Sequence, residues 1–300
     1  MPNWHDILDE IKEAGSTFDS VRRKYLKQLQ RVTRRNIVIY YSGWLQKPDI
    51  TGTAVNDADK NGFMTVIHKL DRSKGLDLVL HTPGGETAAT ESLVDYLRSM
   101  FGINIRAIVP QLAMSAGTMI SCASSEIIMG KQSSLGPIDP QYRGMPAHGV
   151  VEEFNRAFNE IKIDPIKAAV WQPILAKYTP AFIGECEKAV EWSNQMVREW
   201  LLSGMLKDDP DADLTANKIL EELGNHALNK SHARHMSAEK CRNFGLKIFR
   251  LEDDPRLQDA VLSLHHACIH TLGSTNAFKI IENHNGVAFI QSEQRIIVQG

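Results

Sequence analysis

The sequence predicts an α/β domain built on a largely parallel β-sheet, and two observations carry that expectation. Four short runs rich in Ile, Val, Leu and Tyr (Asn36–Tyr41, Asp77–His81, Ile103–Val109 and Glu126–Met129) are separated by stretches with apolar residues at helical spacing. Strands alternating with helices in this way form parallel sheets covered by helices. The second observation is the placing of small residues: Gly84-Gly85 follows the second run and Ala113-Met114-Ser115-Ala116-Gly117 follows the third. Both turns are therefore expected at one carboxyl edge of the sheet, where α/β proteins build their sites.

Along the chain, residues 4–35 read as a charged helix broken near Gly15-Ser16, with Trp4, Ile7, Leu8, Ile11, Val21, Tyr25 and Leu29 as a sparse apolar face. Its basic second half is a solvated face or an anchor for an acidic partner. After the first strand, Asn56 and Asp57 are placed to cap a helix carrying Phe63, Met64, Ile67 and Leu70. A helix through Glu91–Leu97 separates the second and third strands. Residues 131–178 look irregular, with short helices near Val151–Ile161 and Ile166–Ala176. Thr179-Pro180 opens a long helix, Thr as N-cap and Pro at the first position, whose Trp192 or Trp200 is available for an interface. Helices follow at about 214–228, 237–244 and 254–272, and Phe278–Ile290 reads as a hairpin turning at Asn285-Gly286. The expected division is a helical arm (1–35), a central unit (36–250) and a C-terminal helix and hairpin (251–300).

Composition narrows the function. With 43% apolar and 23% charged residues among 300, the chain is an ordinary globular one, neither collagen-like nor disordered. Its 34 basic and 36 acidic side chains leave a formal charge of −2, so no overall field favours nucleic acid or an anionic membrane. Four cysteines without a C-x-x-C pair support neither a disulfide framework nor a zinc ribbon. There is no basic-then-apolar leader and no apolar run approaching the roughly 18–20 residues that span a bilayer, and the expected location is cytoplasmic. His265, His266 and His270 surround Cys268, but no Glu completes an H-E-x-x-H arrangement, and no metal is expected. No P-loop and no G-x-G-x-x-G after a strand are present, so neither a nucleotide cofactor nor an intrinsic ATPase is expected.

The chemistry-bearing stretches are the two turns. Tandem glycines let the backbone bend sharply and leave N–H groups outward at a helix start, which suits an oxyanion, a phosphate or a plain turn. Ser115, flanked by small residues, fits a tight strand-to-helix elbow that exposes a nucleophilic hydroxyl, although Ala113 stands where G-x-S-x-G has its first glycine. A small-residue helix packed on the sheet fits the spacing equally. Taken together, Gly84 or Gly85 supplies one oxyanion donor and Ala116 the other, with Ser115 between them.

The strand followed by Pro83-Gly84-Gly85, the serine at a small-residue helix start, Glu126-Ile-Ile-Met and Leu135-Gly136-Pro137-Ile138 resemble the ClpP/crotonase superfold. Within it the chain is most similar to the serine dehydrogenase proteinase family, relatives of signal peptide peptidase A. Tyr40-Tyr41-Ser42-Gly43-Trp44-Leu45, Asp139-Pro140-Gln141, Lys177-Tyr178, Ser231-His232-x-Arg234 and Lys279-Ile-Ile-Glu-Asn-His extend the resemblance over nearly the whole chain from about residue 20. It implies a ββα superhelix with an N-terminal helical arm and a helix-rich C-terminal region. It also implies a serine endopeptidase with Ser115 as nucleophile and Gly84, Gly85 and Ala116 around the oxyanion. A Ser–Lys dyad, as in signal peptide peptidase A, points to Lys177 or Lys167, with Lys177 preferred at its turn beside Tyr178. ClpP's histidine would fall near Pro137–Asp139, where there is none, so the second option is His232 with Asp139 orienting it. The resemblance further implies a polypeptide substrate, a homo-oligomer (trimer, tetramer or ring), and a separate ATPase or a membrane as partner. A catalytically silent scaffold and a crotonase-type acyl-CoA enzyme are the competing functions.

Overall fold

The computed structural model describes residues 4–13, 18–142, 144–224 and 233–293. Its centre is a seven-stranded sheet in the order β10-β5-β3-β2-β1-β11-β12. Strands β1 (Asn36–Ser42), β2 (Leu76–His81), β3 (Ile105–Val109), β5 (Glu126–Met129) and β10 (Ile248–Arg250) run parallel to their neighbours. The hairpin β11 (Ala277–Asn283) and β12 (Ala288–Ser292) adds two antiparallel strands beside β1, turning at Gly286 with φ 84°. The expected largely parallel α/β sheet is thus present, and the hairpin turns at the expected Asn285-Gly286.

Every residue of β1 and β2 is buried, as a sheet covered on both faces requires. The two-residue period of a strand splits their side chains between two cores. Val38, Tyr40, Leu76, Leu78 and Leu80 face one. That core is closed by α3 (Ala58–Ile67), α4 (Thr87–Phe101), α5 (Ala116–Cys122), α8 (Pro180–Ser203) and α9 (Ala212–Gly224). Ile37, Ile39, Tyr41 and Val79 face the other, closed by α1 (Trp4–Glu13), α2 (Phe18–Thr33) and α11 (Pro255–Ser274). All four cysteines are free and buried. A small second sheet, β4 (Leu112–Ala113), β6 (Ser134–Leu135) and β9 (Met236–Ser237), stands beyond the carboxyl ends of the main strands, with the short helix α10 (Ala238–Asn243) after it.

Four local expectations are corrected. Asn56 Oδ1 accepts the Ala58 N–H at 3.0 Å, whereas the Asp57 side chain makes no capping bond. Met64, expected on the apolar face of that helix, is exposed. Residues 131–178 are less irregular than their composition suggests. They hold a hairpin of β7 (Gln141–Tyr142) and β8 (Met145–Pro146), the 17-residue helix α6 (Ala147–Ile163) and α7 (Ala168–Leu175). The stabilising contact is distant in sequence: Ala147 and Val150 pack on Phe182 and Cys186 of α8. Trp200 is buried in the first core, leaving Trp192 as the exposed tryptophan of α8.

The basic helix α2 is held by a buried ion pair. Arg22 and Glu282 are both fully buried, with Arg22 Nε 2.6 Å from Glu282 Oε2 and Arg23 Nε 2.6 Å from Oε1. Arg22 also donates to Thr271 Oγ1 of α11 at 3.2 Å, so one guanidinium ties α2, α11 and β11 together. Removing one member of such a pair strands a charge in low dielectric. Glu282→Ala is expected to lower unfolding stability by about 3–5 kcal/mol, and Arg22→Met/Glu282→Leu to recover most of that loss, both read from urea denaturation midpoints.

At the carboxyl end of β1 and β2, on the α11 side, the His81 ring lies 4.5 Å from Trp44, 5.4 Å from Tyr41 and 5.4 Å from His265. Neither ring nitrogen of His81 has a hydrogen-bond partner among the described residues. Burial pushes its pKa from 6.5 down to about 3, so the folded protein takes up this proton later than the unfolded chain does. Its contribution to stability is intact above pH 6.5 and is lost progressively as pH falls towards 3. At pH 5 the expected loss is about 2 kcal/mol. Chemical denaturation at pH 7 and pH 5 checks it, and His81→Phe should reduce the difference by about that amount, the remainder coming from His265, His266 and His284, whose pKa values burial also lowers.

Candidate active site

The parallel pairing of β2 with β3 brings the two predicted turns together. Thr82 forms an isolated bridge with Ala113, with Thr82 N donating to Leu112 O (3.1 Å) and Met114 N to Thr82 O (3.0 Å). The chain then turns at Ser115 into α5. Ser115 has φ 48° and ψ −111°, a conformation that costs a non-glycine residue on the order of 1–3 kcal/mol. The turn is held by Gly117 N donating to Met114 O (2.8 Å) and Met119 N to Ser115 O (3.0 Å). Ser115 occupies the N-cap position of α5, yet its side chain makes no capping bond. Its hydroxyl is not consumed by the helix it precedes.

Gly84 meets this serine directly. With φ 106°, it lies so close that a Cβ on it would fall 2.6 Å from Ser115 Cβ and 3.2 Å from Ala116 N. Only a residue without a side chain fits. Gly84 N–H donates to Thr82 Oγ1 at 3.2 Å, which leaves Gly84 to shape the site. Among the described residues the N–H groups of Gly85 and Ala116 have no acceptor.

The opposite wall comes from a segment without any site signal in the sequence. Val55 bridges Gly85: Val55 N donates to Gly84 O at 2.8 Å, and Glu86 N donates to Val55 O at 2.9 Å. A cleft of about 320 Å³ results, lined by Gly52, Ala54–Asn56, Gly85–Thr87, Ser115, Met119, Ile138, Pro140 and Gln141. No lysine or histidine is among these described lining residues.

The other predicted site residues lie as follows. Asp139 is buried beside the cleft wall and accepts from His148 N at 3.4 Å. Lys177 is exposed in the turn between α7 and α8 and does not line the cleft. Lys167 pairs with Glu160 at 3.5 Å on the surface. His232 lies outside the described residues. The described flanks of its segment are both fastened to the chain that walls the cleft, since Ile138 N donates to Leu223 O at 3.0 Å and Met236 pairs with Leu135. Among the described residues no group of three or more His, Cys, Asp or Glu converges as a metal site, and no helix is long and apolar enough to cross a membrane.

The sequence model of the ClpP-like SDH-type serine proteinases matches residues 43–266. Two uncharacterized proteins of Methanocaldococcus jannaschii are similar to the chain. One is 27% identical over 198 residues, 64% of this chain and 61% of that protein; the other is 37% identical over 94 residues, 31% and 32% respectively. The chain thus spans less than two thirds of the length of either relative.

The strain at Ser115 yields a measurable consequence. Glycine adopts φ 48° without penalty, so Ser115→Gly should raise unfolding stability by about 1 kcal/mol, read as a higher denaturation midpoint.

Proposed function

The chain belongs to the ClpP-like SDH-type serine proteinases, and from that premise we propose that it is a serine endopeptidase whose nucleophile is Ser115. The observation that carries the reading is the meeting at one cleft of Ser115, its hydroxyl uncapped on a strained turn, with Gly85, whose backbone N–H is unsatisfied among the described residues, as is that of Ala116 next to the serine. Ser115 Oγ attacks the scissile carbonyl carbon, and the Gly85 and Ala116 N–H groups receive the oxyanion of the tetrahedral intermediate. Collapse expels the amine and leaves an acyl-enzyme on Ser115, which water hydrolyses.

The hydroxyl proton needs an acceptor within reach. A lysine serves only where burial weakens its hold on the proton, and Lys177 is exposed. His232, with Asp139 orienting it, is the base in this reading. Support comes from the anchoring of both flanks of its segment to residues 135–138. The ββα superhelix belongs to the same reading: β3 passes through β4 into α5 and β5 into β6, and the pairs β3–β5 and β4–β6 are parallel neighbours in their respective sheets. Self-assembly with a polypeptide substrate in the shared interior is supported by Phe158, Ile163, Ile166 and Val170, exposed on the α6–α7 segment.

A silent scaffold is the second reading, favoured by the lack of a basic side chain among the described cleft residues. Covalent labelling separates the two. A fluorophosphonate probe is expected to modify Ser115 in the wild type and not in Ser115→Ala, and casein cleavage should fall at least about 10³-fold in Ser115→Ala and His232→Gln while Lys177→Met keeps it. Cleavage lost in Lys177→Met and kept in His232→Gln would move the base to Lys177. Wild-type protein inert to both probe and casein would leave the scaffold.

A further inference from the structure

Behind the Val55 wall lies a charged group with no part in the proton transfers above. Lys279 of β11 and Asp59 of α3 are both fully buried, with Lys279 Nζ 2.7 Å from Asp59 Oδ1. Asp59 Oδ2 accepts from Tyr40 Oη at 2.8 Å and from Asn56 N at 3.0 Å. Lys279 Nζ donates a second bond, 2.8 Å long, to Ala54 O. A buried pair of this kind is a weak source of net stability. Its effect here is directional, because its remaining bonds grip the backbone on either side of Val55.

The peptide group is planar and trans, so its N–H points opposite to its C=O. Lys279 holds the Ala54 carbonyl, which turns the Val55 N–H the other way, onto Gly84 O at 2.8 Å. Val55 in turn holds the Gly84 carbonyl, which turns the Gly85 N–H away from Val55, in the stretch where Gly84 meets Ser115. Two peptide units are thus linked head to tail from an ammonium to a free donor. Hydrogen bonds in such a chain polarise one another, and a positive charge at its start strengthens the N–H at its end.

We propose that Lys279, with Asp59, is a positioning residue for the oxyanion hole: through the Ala54–Val55 and Gly84–Gly85 peptides it aims and polarises the Gly85 N–H. The inference rests on the peptidase reading for its catalytic consequence, while the clamp itself is a statement about the backbone. Burial also lowers the Lys279 pKa while Asp59 opposes that shift, so the charge at the head of the chain depends on its partner.

The test uses Lys279→Met, and Lys279→Met/Asp59→Asn so that no carboxylate is stranded if the single variant fails to fold. Two readouts are taken on the full chain. In the double variant, kcat for a peptide substrate and the rate of fluorophosphonate labelling at Ser115 should fall at least about tenfold with KM little changed, since a transition-state donor is weakened and substrate contacts are kept. Hydrogen–deuterium exchange at the Val55 and Glu86 amides should rise at least tenfold while β2 amides keep their protection. Wild-type exchange at Val55 and Glu86, or wild-type labelling and kcat in the double variant, would overturn the proposal. If wild-type protein neither cleaves nor labels, the peptidase reading fails on its own, and the exchange at Val55 and Glu86 still decides the clamp.

Discussion

The contact between Gly84 and Ser115 sets the terms for everything around it. Two turns leaving adjacent parallel strands have to pass within van der Waals distance, and one must carry a side chain in a left-handed conformation. That is tolerated because the other has none: a Cβ at Gly84 would sit 2.6 Å from the serine's own. The remaining bonds of the region hold this approach in place. The Thr82–Ala113 bridge fixes the roots of both turns, and the first turn of α5 fixes the serine. Val55 then presses the twin-glycine bend from the other side, where Gly85 leaves no room for a side chain because a Cβ there would meet Val55 O at 2.2 Å.

Such strain persists only on a stiff support. The sheet supplies it by being buried on both faces, and the second face is closed by segments from opposite ends of the chain. α2 lies along α11, and the Arg22–Glu282 pair fastens both to β11. β1 therefore has β2 on one side and β11 on the other. The strand beside the site and the strand bearing Lys279 are held in one register, with Ser42 opposite Lys279.

What was legible in the sequence is what depends on neighbours along the chain. The strands, the Pro83-Gly84-Gly85 bend, the serine at a helix start and the Thr179-Pro180 helix opening all follow from local pattern and turn chemistry. The parallel order then follows from alternation, and with it the meeting of the two turns. What escaped depends on pairing across long separations. Nothing local marks Ala54–Asn56 as a cleft wall, because its role is created by bonds to Gly84 and Glu86. Lys279 entered only as part of a family-like motif, since a lysine inside an alternating strand carries no hint that Asp59 lies opposite it. The length of α6 and the burial of Trp200 were hidden for the same reason: each is settled by a helix distant in sequence.

The order in which these parts are made has its own consequence. Ribosomes build the chain from the amino end, and domains generally begin to fold as they emerge. The strand carrying Lys279 is synthesised after the serine turn, after the twin glycines and after the wall they touch. A nascent chain can therefore lay down β1, β2 and β3 and still lack the ammonium that steadies the wall. Whatever reactivity the serine acquires would be withheld until the β11–β12 hairpin docks, a maturation step written into strand order.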